Sequence, residues 1–119
     1  MLKSAALMSL AAGTGLAGTS VKTNARSKVI KPKRLRPGDT VAIIAPASGA
    51  SPEAFERALA NIATLGLKAK IGKFARGSKD FLSGSDAERL HDLHWAFEDA
   101  EVSGVWCVRG GSGAPRLLQ

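Results

Sequence analysis

The sequence predicts an α/β fold: a small open sheet, mostly parallel, with helices flanking it. Three observations support this. Residues 41–45 and 105–108 are unbroken apolar runs, the pattern of strands buried on both faces. Two amphipathic stretches with polar starts lie between those runs. Each apolar run leads into a loop rich in Gly, Ser or Pro.

In chain order, residues 1–20 read MLKSAALMSLAAGTGLAGTS, with a lone Lys3, an apolar stretch and small residues near position 20. This has the character of an export leader. Its apolar core, interrupted by Gly13 and Gly15, is shorter than the roughly 18 to 20 residues a spanning helix requires. Residues 21–36 are basic, contain Pro32 and lack a sustained apolar period, which predicts a linker. The folded domain is expected over 37–119.

Within that domain, Pro37, Gly38 and Asp39 form a turn signal before the first strand, and Pro46 closes the strand because it cannot donate to a sheet ladder. Ser51, Pro52 and Glu53 form a helix start: an oxygen acceptor, a preset backbone angle and an acid at the positive end. Phe55, Ala58, Leu59, Ile62 and Leu65 then share one face, and Gly66 supplies the stop. The alternation in residues 67–71 predicts an edge strand with Leu67, Ala69 and Ile71 inward and Lys68 and Lys70 in water. Residues 72–84 form a long loop. A capping box, Ser85 with Glu88, opens a second helix whose buried stripe is expected to be Leu90, Leu93 and Phe97. Residues 105–108 complete the pattern as a buried strand, giving an arrangement like half of a flavodoxin or Rossmann domain.

The chain has 119 residues and a net charge of +7, a length that suits one small domain. Eight bases precede the first acid, Asp39, whereas residues 37–119 hold nine bases against ten acids. The surplus therefore belongs to the leader and linker. A basic arm can attract RNA or anionic lipid without sequence preference, but the domain itself carries no nucleic-acid signature, and its two tryptophans read as buried. Cys107 is the one cysteine, so no intramolecular disulfide framework exists. Between Trp106 and Val108 it reads as a small core residue.

Chemistry is expected at RGGSGAP, residues 109–115, because open α/β sheets bind ligands beyond the carboxyl ends of their strands. A phosphate cradle would need G-x-G-x-x-G or a P-loop Lys-Ser/Thr pair, and neither is present. Residues 110–114 come within one residue of the elbow G-x-S-x-G, but no His or acid follows Ser112 in this sequence. Backbone amides at Gly110 and Gly111 could serve as oxyanion donors, a role that needs no side chain. The remaining reading is a tight turn feeding a helix. His91 and His94 are spaced for a shared metal but lack a third ligand at suitable spacing, so no metal is assigned. Glu98 and Asp99 read as a solvated helix end.

Taken together, RPGDTVAIIAPAS, FLSGSDAERLHDLHWAF and VWCVRGGSGAPRLL resemble, in order and spacing, the N-terminal domain of the LD-carboxypeptidases, peptidase family S66. The resemblance covers about residues 34–119. It implies a serine hydrolase without metal or organic cofactor that removes the terminal D-alanine from peptidoglycan tetrapeptides. It places the Ser, Glu and His of the triad beyond this segment, the Ser in a Gly-x-Ser-Asp motif that this sequence lacks. It maps Gly110 and Gly111 onto the oxyanion site and Ser48 onto a small polar position of the facing loop. Ser48 and Ser112 are the substrate-loop candidates this implies; Ser112 stands where the family commonly has Tyr, which argues against Ser112 as nucleophile.

The resemblance further implies a peptidoglycan-derived peptide as partner and room for a homodimer in a full-length protein, while the charge distribution and the short apolar stretch predict no specific nucleic acid and no transmembrane segment. With the leader, it points to the periplasm or cell envelope, with the cytoplasm as the alternative. An inactive module that binds cell-wall peptide or a protein is the competing expectation. On the resemblance, the 119-residue chain is a truncated carboxypeptidase that alone releases no D-alanine from a tetrapeptide. Release above that of a denatured control would contradict this.

Overall fold

The computed structural model describes residues 28–119 together with Gly13, Gly15 and Gly18. The expected leader, and the linker up to residue 27, lie outside the described residues apart from those three glycines. A compact unit, Pro32–Gln119, contains β1 (Thr40–Ile44), α1 (Pro52–Thr64), β2 (Lys68–Ile71), α2 (Asp86–Glu98), β3 (Val102–Cys107) and a 3₁₀ turn (Ala114–Leu118).

The three strands form one parallel sheet in the order β2-β1-β3. β1 is therefore central, and its apolar run is explained by burial on both faces: Val41, Ala42, Ile43 and Ile44 are at most 2% exposed. Val41 and Ile43 pack against Phe55 and Ile62 of α1, while Ala42 and Ile44 pack against Ala96 and Leu93 of α2. The helix starts follow the sequence signals. Ala54 N donates to Ser51 Oγ at 3.2 Å. In the capping box Glu88 N donates to Ser85 Oγ at 3.3 Å and Ser85 N donates to Glu88 Oε2 at 2.8 Å. Gly66, with φ of 72°, turns the chain out of α1.

Four expectations are corrected. First, in β2, Ala69 and Ile71 are exposed, and Lys70 is the half-buried residue. An edge strand has a neighbour on one side only, and the opposite face offers Lys70 more: its Nζ donates to Asp99 at 2.5 Å and Glu101 at 2.7 Å and lies 6.0 Å from the Trp95 ring. Second, β3 begins earlier than expected and alternates between half-buried and exposed residues. It is also an edge, so Val105 and Cys107 have no cover, and Cys107 is not a core residue. Trp106 and Trp95 are half-buried.

Third, α2 does not bury Phe97, which is 76% exposed, and only half-buries Leu90 and Leu93. It buries Arg89, Asp92 and Ala96 instead. The helix is rolled toward its polar stripe because that stripe is fully hydrogen-bonded to the loops around it. Fourth, Leu65 lies past the last turn of α1 and is 56% exposed.

Arg89 is 1% exposed. Its Nε donates to Gly84 O at 3.2 Å, and one terminal nitrogen donates to Pro46 O at 2.6 Å and Gly113 O at 2.8 Å. The other terminal nitrogen meets the Asp86 carboxylate, which also pairs with Arg116 at 2.8 Å. One guanidinium thus ties the loop after β1, the start of α2 and the turn after β3. Asp92 plays a matching part, accepting from Phe74 N at 2.8 Å. Gly72 lets the loop pass beside it, since a Cβ there would lie 2.5 Å from Asp92 Oδ2.

Replacing Arg89 by Met leaves three buried carbonyls without their donor, so a loss of about 3 to 5 kcal/mol is predicted. A denaturant midpoint within experimental scatter of the parent's would contradict this.

Titration adds a second prediction. Hydrogen bonds from the Ser85 backbone and hydroxyl hold Glu88 below its ordinary 4.5. The Lys70 side chain, then the Glu101 amide, hold Asp99 below its ordinary 3.8. These contributions are present above the ordinary values and are lost as pH falls through the lowered folded-state ones. Bonds to Asp99 and Glu101 raise Lys70 above 10.5, so its contribution is full below that value and is lost as pH rises past the raised one. Desolvation also raises the Cys107 thiol above its ordinary 9.0, a contribution likewise lost as pH rises. The melting temperature is therefore predicted to be flat between about pH 5 and 9 and to fall on either side. A rise on acidification from about pH 5 to 3 would show the signs to be wrong.

Candidate functional site

The carboxyl edge of the sheet is where the loops converge. β1 delivers residues 45–51, and β3 delivers Arg109 and the glycine turn. The long loop before α2 folds back over both: Ser83 Oγ donates to Ala45 O at 2.5 Å, Ser83 N donates to Ala47 O at 2.9 Å, and Leu82 pairs with Ser48 in an isolated antiparallel bridge. Ser83 is 2% exposed with its polar atoms satisfied, so the loop is pinned to the sheet.

These loops enclose an open cleft of about 680 Å³. Its floor is Phe55 and the start of α1 at Ser51 and Pro52, with Ser48 beside them, and its outer walls include Arg76, Asp80, Phe81 and Arg109. The Arg76 guanidinium lies 4.0 Å from the Phe55 ring centroid and 3.0 Å from Glu56. Arg109 forms no ion pair with any described residue. The cleft thus presents two guanidinium groups and the positive end of a 13-residue helix against one lining acid, Asp80.

Ser48 is half-buried and lines the cleft. Gly111 adjoins it: a Cβ at Gly111 would lie 3.0 Å from Ser48 Oγ, and the φ of 152° disfavours any side chain. The structure therefore brings Ser48 and Gly111 together. Gly110, Gly111 and Ser112 are all exposed and none of them lines the cleft, and nothing lies within 4 Å of a Cβ built on Gly110. Where one reading had the turn feed a helix, the chain forms a 3₁₀ turn that starts after Gly113, whose carbonyl accepts from Arg89.

His91 and His94 have separate neighbours. His91 Nδ1 is 3.4 Å from Asp92 Oδ1, with its ring edge-on to Phe74, whereas His94 is 3.9 Å from Glu98. Among the described residues no three His, Cys, Asp or Glu side chains gather as a metal site.

Sequence reasoning missed Arg76, Arg89 and Asp92, and it gave no role to Arg109 within the stretch 109–115 where chemistry is expected. Arg109 could have been found, because it immediately precedes the Gly110-Gly111 pair at a strand's carboxyl end. Arg89 and Asp92 could not, since charged residues on a helix ordinarily mark its solvent face.

Comparison with known proteins places this geometry. Residues 41–119 match the LD-carboxypeptidase N-terminal domain of peptidase family S66. The chain is 47% identical over 87 residues to the "Probable murein peptide carboxypeptidase" of Bacillus subtilis, covering 73% of this chain and 27% of that protein. It is 37% identical over 78 residues to the "Murein tetrapeptide carboxypeptidase" of Pseudomonas aeruginosa, covering 66% and 25%. The chain therefore spans about a quarter of the length of these relatives. Among solved structures, the MccF-like protein from Bacillus anthracis superposes with a TM-score of 0.70 at 29% identity, covering 76% of this chain and 28% of that one. The muramoyltetrapeptide carboxypeptidase from Oxalobacter formigenes gives 0.59 at 26% identity, covering 66% and 26%. With the profile spanning nearly all of the sheet, both helices and the glycine turn, the chain belongs to the LD-carboxypeptidase family, peptidase family S66, as its N-terminal domain.

Proposed function

We propose that this domain supplies the substrate-facing loops of an LD-carboxypeptidase, which hydrolyses the L,D-peptide bond to the terminal D-alanine of peptidoglycan tetrapeptides. The observation that carries this reading is the pinned cleft at the carboxyl edge of a parallel sheet, in a chain close in sequence to a murein peptide carboxypeptidase.

The chemistry is acyl transfer. A serine hydroxyl attacks the carbonyl carbon, a histidine takes its proton and returns it to the leaving amine, and a glutamate orients the histidine. The family resemblance assigns those three groups to parts outside the matched domain. The residues here bind the peptide and offer backbone amides at Gly110 and Gly111 to the developing oxyanion. The tight approach of Gly111 to Ser48 supports this role, because a side chain would fill the space that a substrate oxygen needs. On the same reading the Ala-rich leader directs the protein to the cell envelope, where peptidoglycan lies.

The test is a chimera in which residues 34–119 replace the matched quarter of the Bacillus subtilis relative. The chimera is expected to release D-alanine from tetrapeptide within about tenfold of the intact relative, since transition-state contacts that differ by less than about 1.4 kcal/mol cost no more. A chimera that melts cooperatively yet releases nothing would overturn the reading.

A further inference from the structure

The cleft has an uneven charge that the hydrolytic chemistry does not use. Of its two guanidinium groups, Arg76 is already committed: Glu56 lies 3.0 Å from it, and its flat face covers Phe55. That arrangement fixes Arg76 as a wall and neutralises much of its charge. Arg109 stands differently. It follows β3 directly, lines the cleft, is exposed, and pairs with no described carboxylate. The same cleft is lined by Ser48, Gly49, Ser51 and Pro52, so the positive end of α1 borders it too. Asp80 is the one acid in the lining.

An unpaired guanidinium and a helix N-terminus converging on one concave space favour an anion, and a planar fork favours a carboxylate. The floor is of another kind. Phe55 is buried behind the Arg76 guanidinium, and the accessible apolar side chain in the lining is Phe81, 73% exposed. Carboxylate beside apolar surface describes a peptide end carrying a small apolar side chain.

We propose that Arg109 is a specificity-determining residue that binds the free terminal carboxylate of the peptide, making the cleft selective for chain ends over internal bonds. This deepens the carboxypeptidase reading and rests on it. Arg109 moves no proton and attacks nothing. It selects which bond is presented.

The experiment uses the ¹⁵N-labelled 119-residue chain titrated with N-acetyl-L-lysyl-D-alanine and, separately, with its C-terminal amide. The acid is expected to bind at least about tenfold more tightly than the amide, the ordinary effect of losing a hydrogen bond to a charged group. Added salt should weaken the acid and leave the amide unchanged. Arg109→Gln should abolish the preference without moving the melting temperature, because the side chain holds no other group in place. Arg109→Lys should retain part of it. Equal binding of acid and amide, a preference that survives Arg109→Gln, or no binding of either ligand would each overturn the proposal. The first two of these outcomes leave the carboxypeptidase reading standing, and D-alanine release by the chimera judges that reading separately.

Discussion

One guanidinium, shut away from solvent, holds the carboxyl edge of this sheet together. Arg89 donates to the carbonyls of Pro46, Gly84 and Gly113 and meets the Asp86 carboxylate. No apolar side chain could replace it, because the three carbonyls come from three separate loops and each would otherwise be buried without a donor. A lysine would bring one nitrogen to a place where the fork brings three. The charge is tolerable because its carboxylate partner is half-exposed and shares itself with Arg116.

The consequence reaches the cleft. Ser83 and Asp92 tie the long loop to β1 and to α2 in the same manner, by side chain to backbone, and no buried side-chain polar atom among the described residues lacks a partner. Loops built this way are set before any ligand arrives, which is what a site that orients a substrate requires. Polar ties account for the unusual roll of α2. Satisfying Arg89 and Asp92 together outweighs burying Phe97, whose ring is left in solvent.

Both edges of the sheet are guarded in different ways. β2 carries Lys68 and Lys70, and the latter is clamped by Asp99 and Glu101, so charge stands where another strand would pair. β3 has no such charge along its length and exposes Val105 and Cys107 on one face. Structures named for microcin immunity share this fold, as MccF does at a TM-score of 0.70 and 20% identity. A shared sheet does not by itself fix a function, which has to be argued from the loops.

By itself the sequence determined whatever depends on neighbours along the chain. The capping box at Ser85 and Glu88, the Ser51 start, the Gly66 stop and the apolar run of β1 are local signals, and each formed as written. The three quoted motifs also sufficed to indicate the family. What only the tertiary structure decided depends on which face meets which partner. Alternation in residues 67–71 could not reveal that Lys70 would find Asp99 and Glu101 some 30 residues away, nor could an apolar run show that β3 lies at an edge. Of the residues picked out along the chain, Ser48 lines the cleft and Gly111 adjoins Ser48, whereas Gly110, Gly111 and Ser112 are absent from the lining. Periodicity records the average polarity of a face, but a buried arginine is stabilised by three carbonyls brought together from distant loops, and no pattern along the chain encodes that meeting.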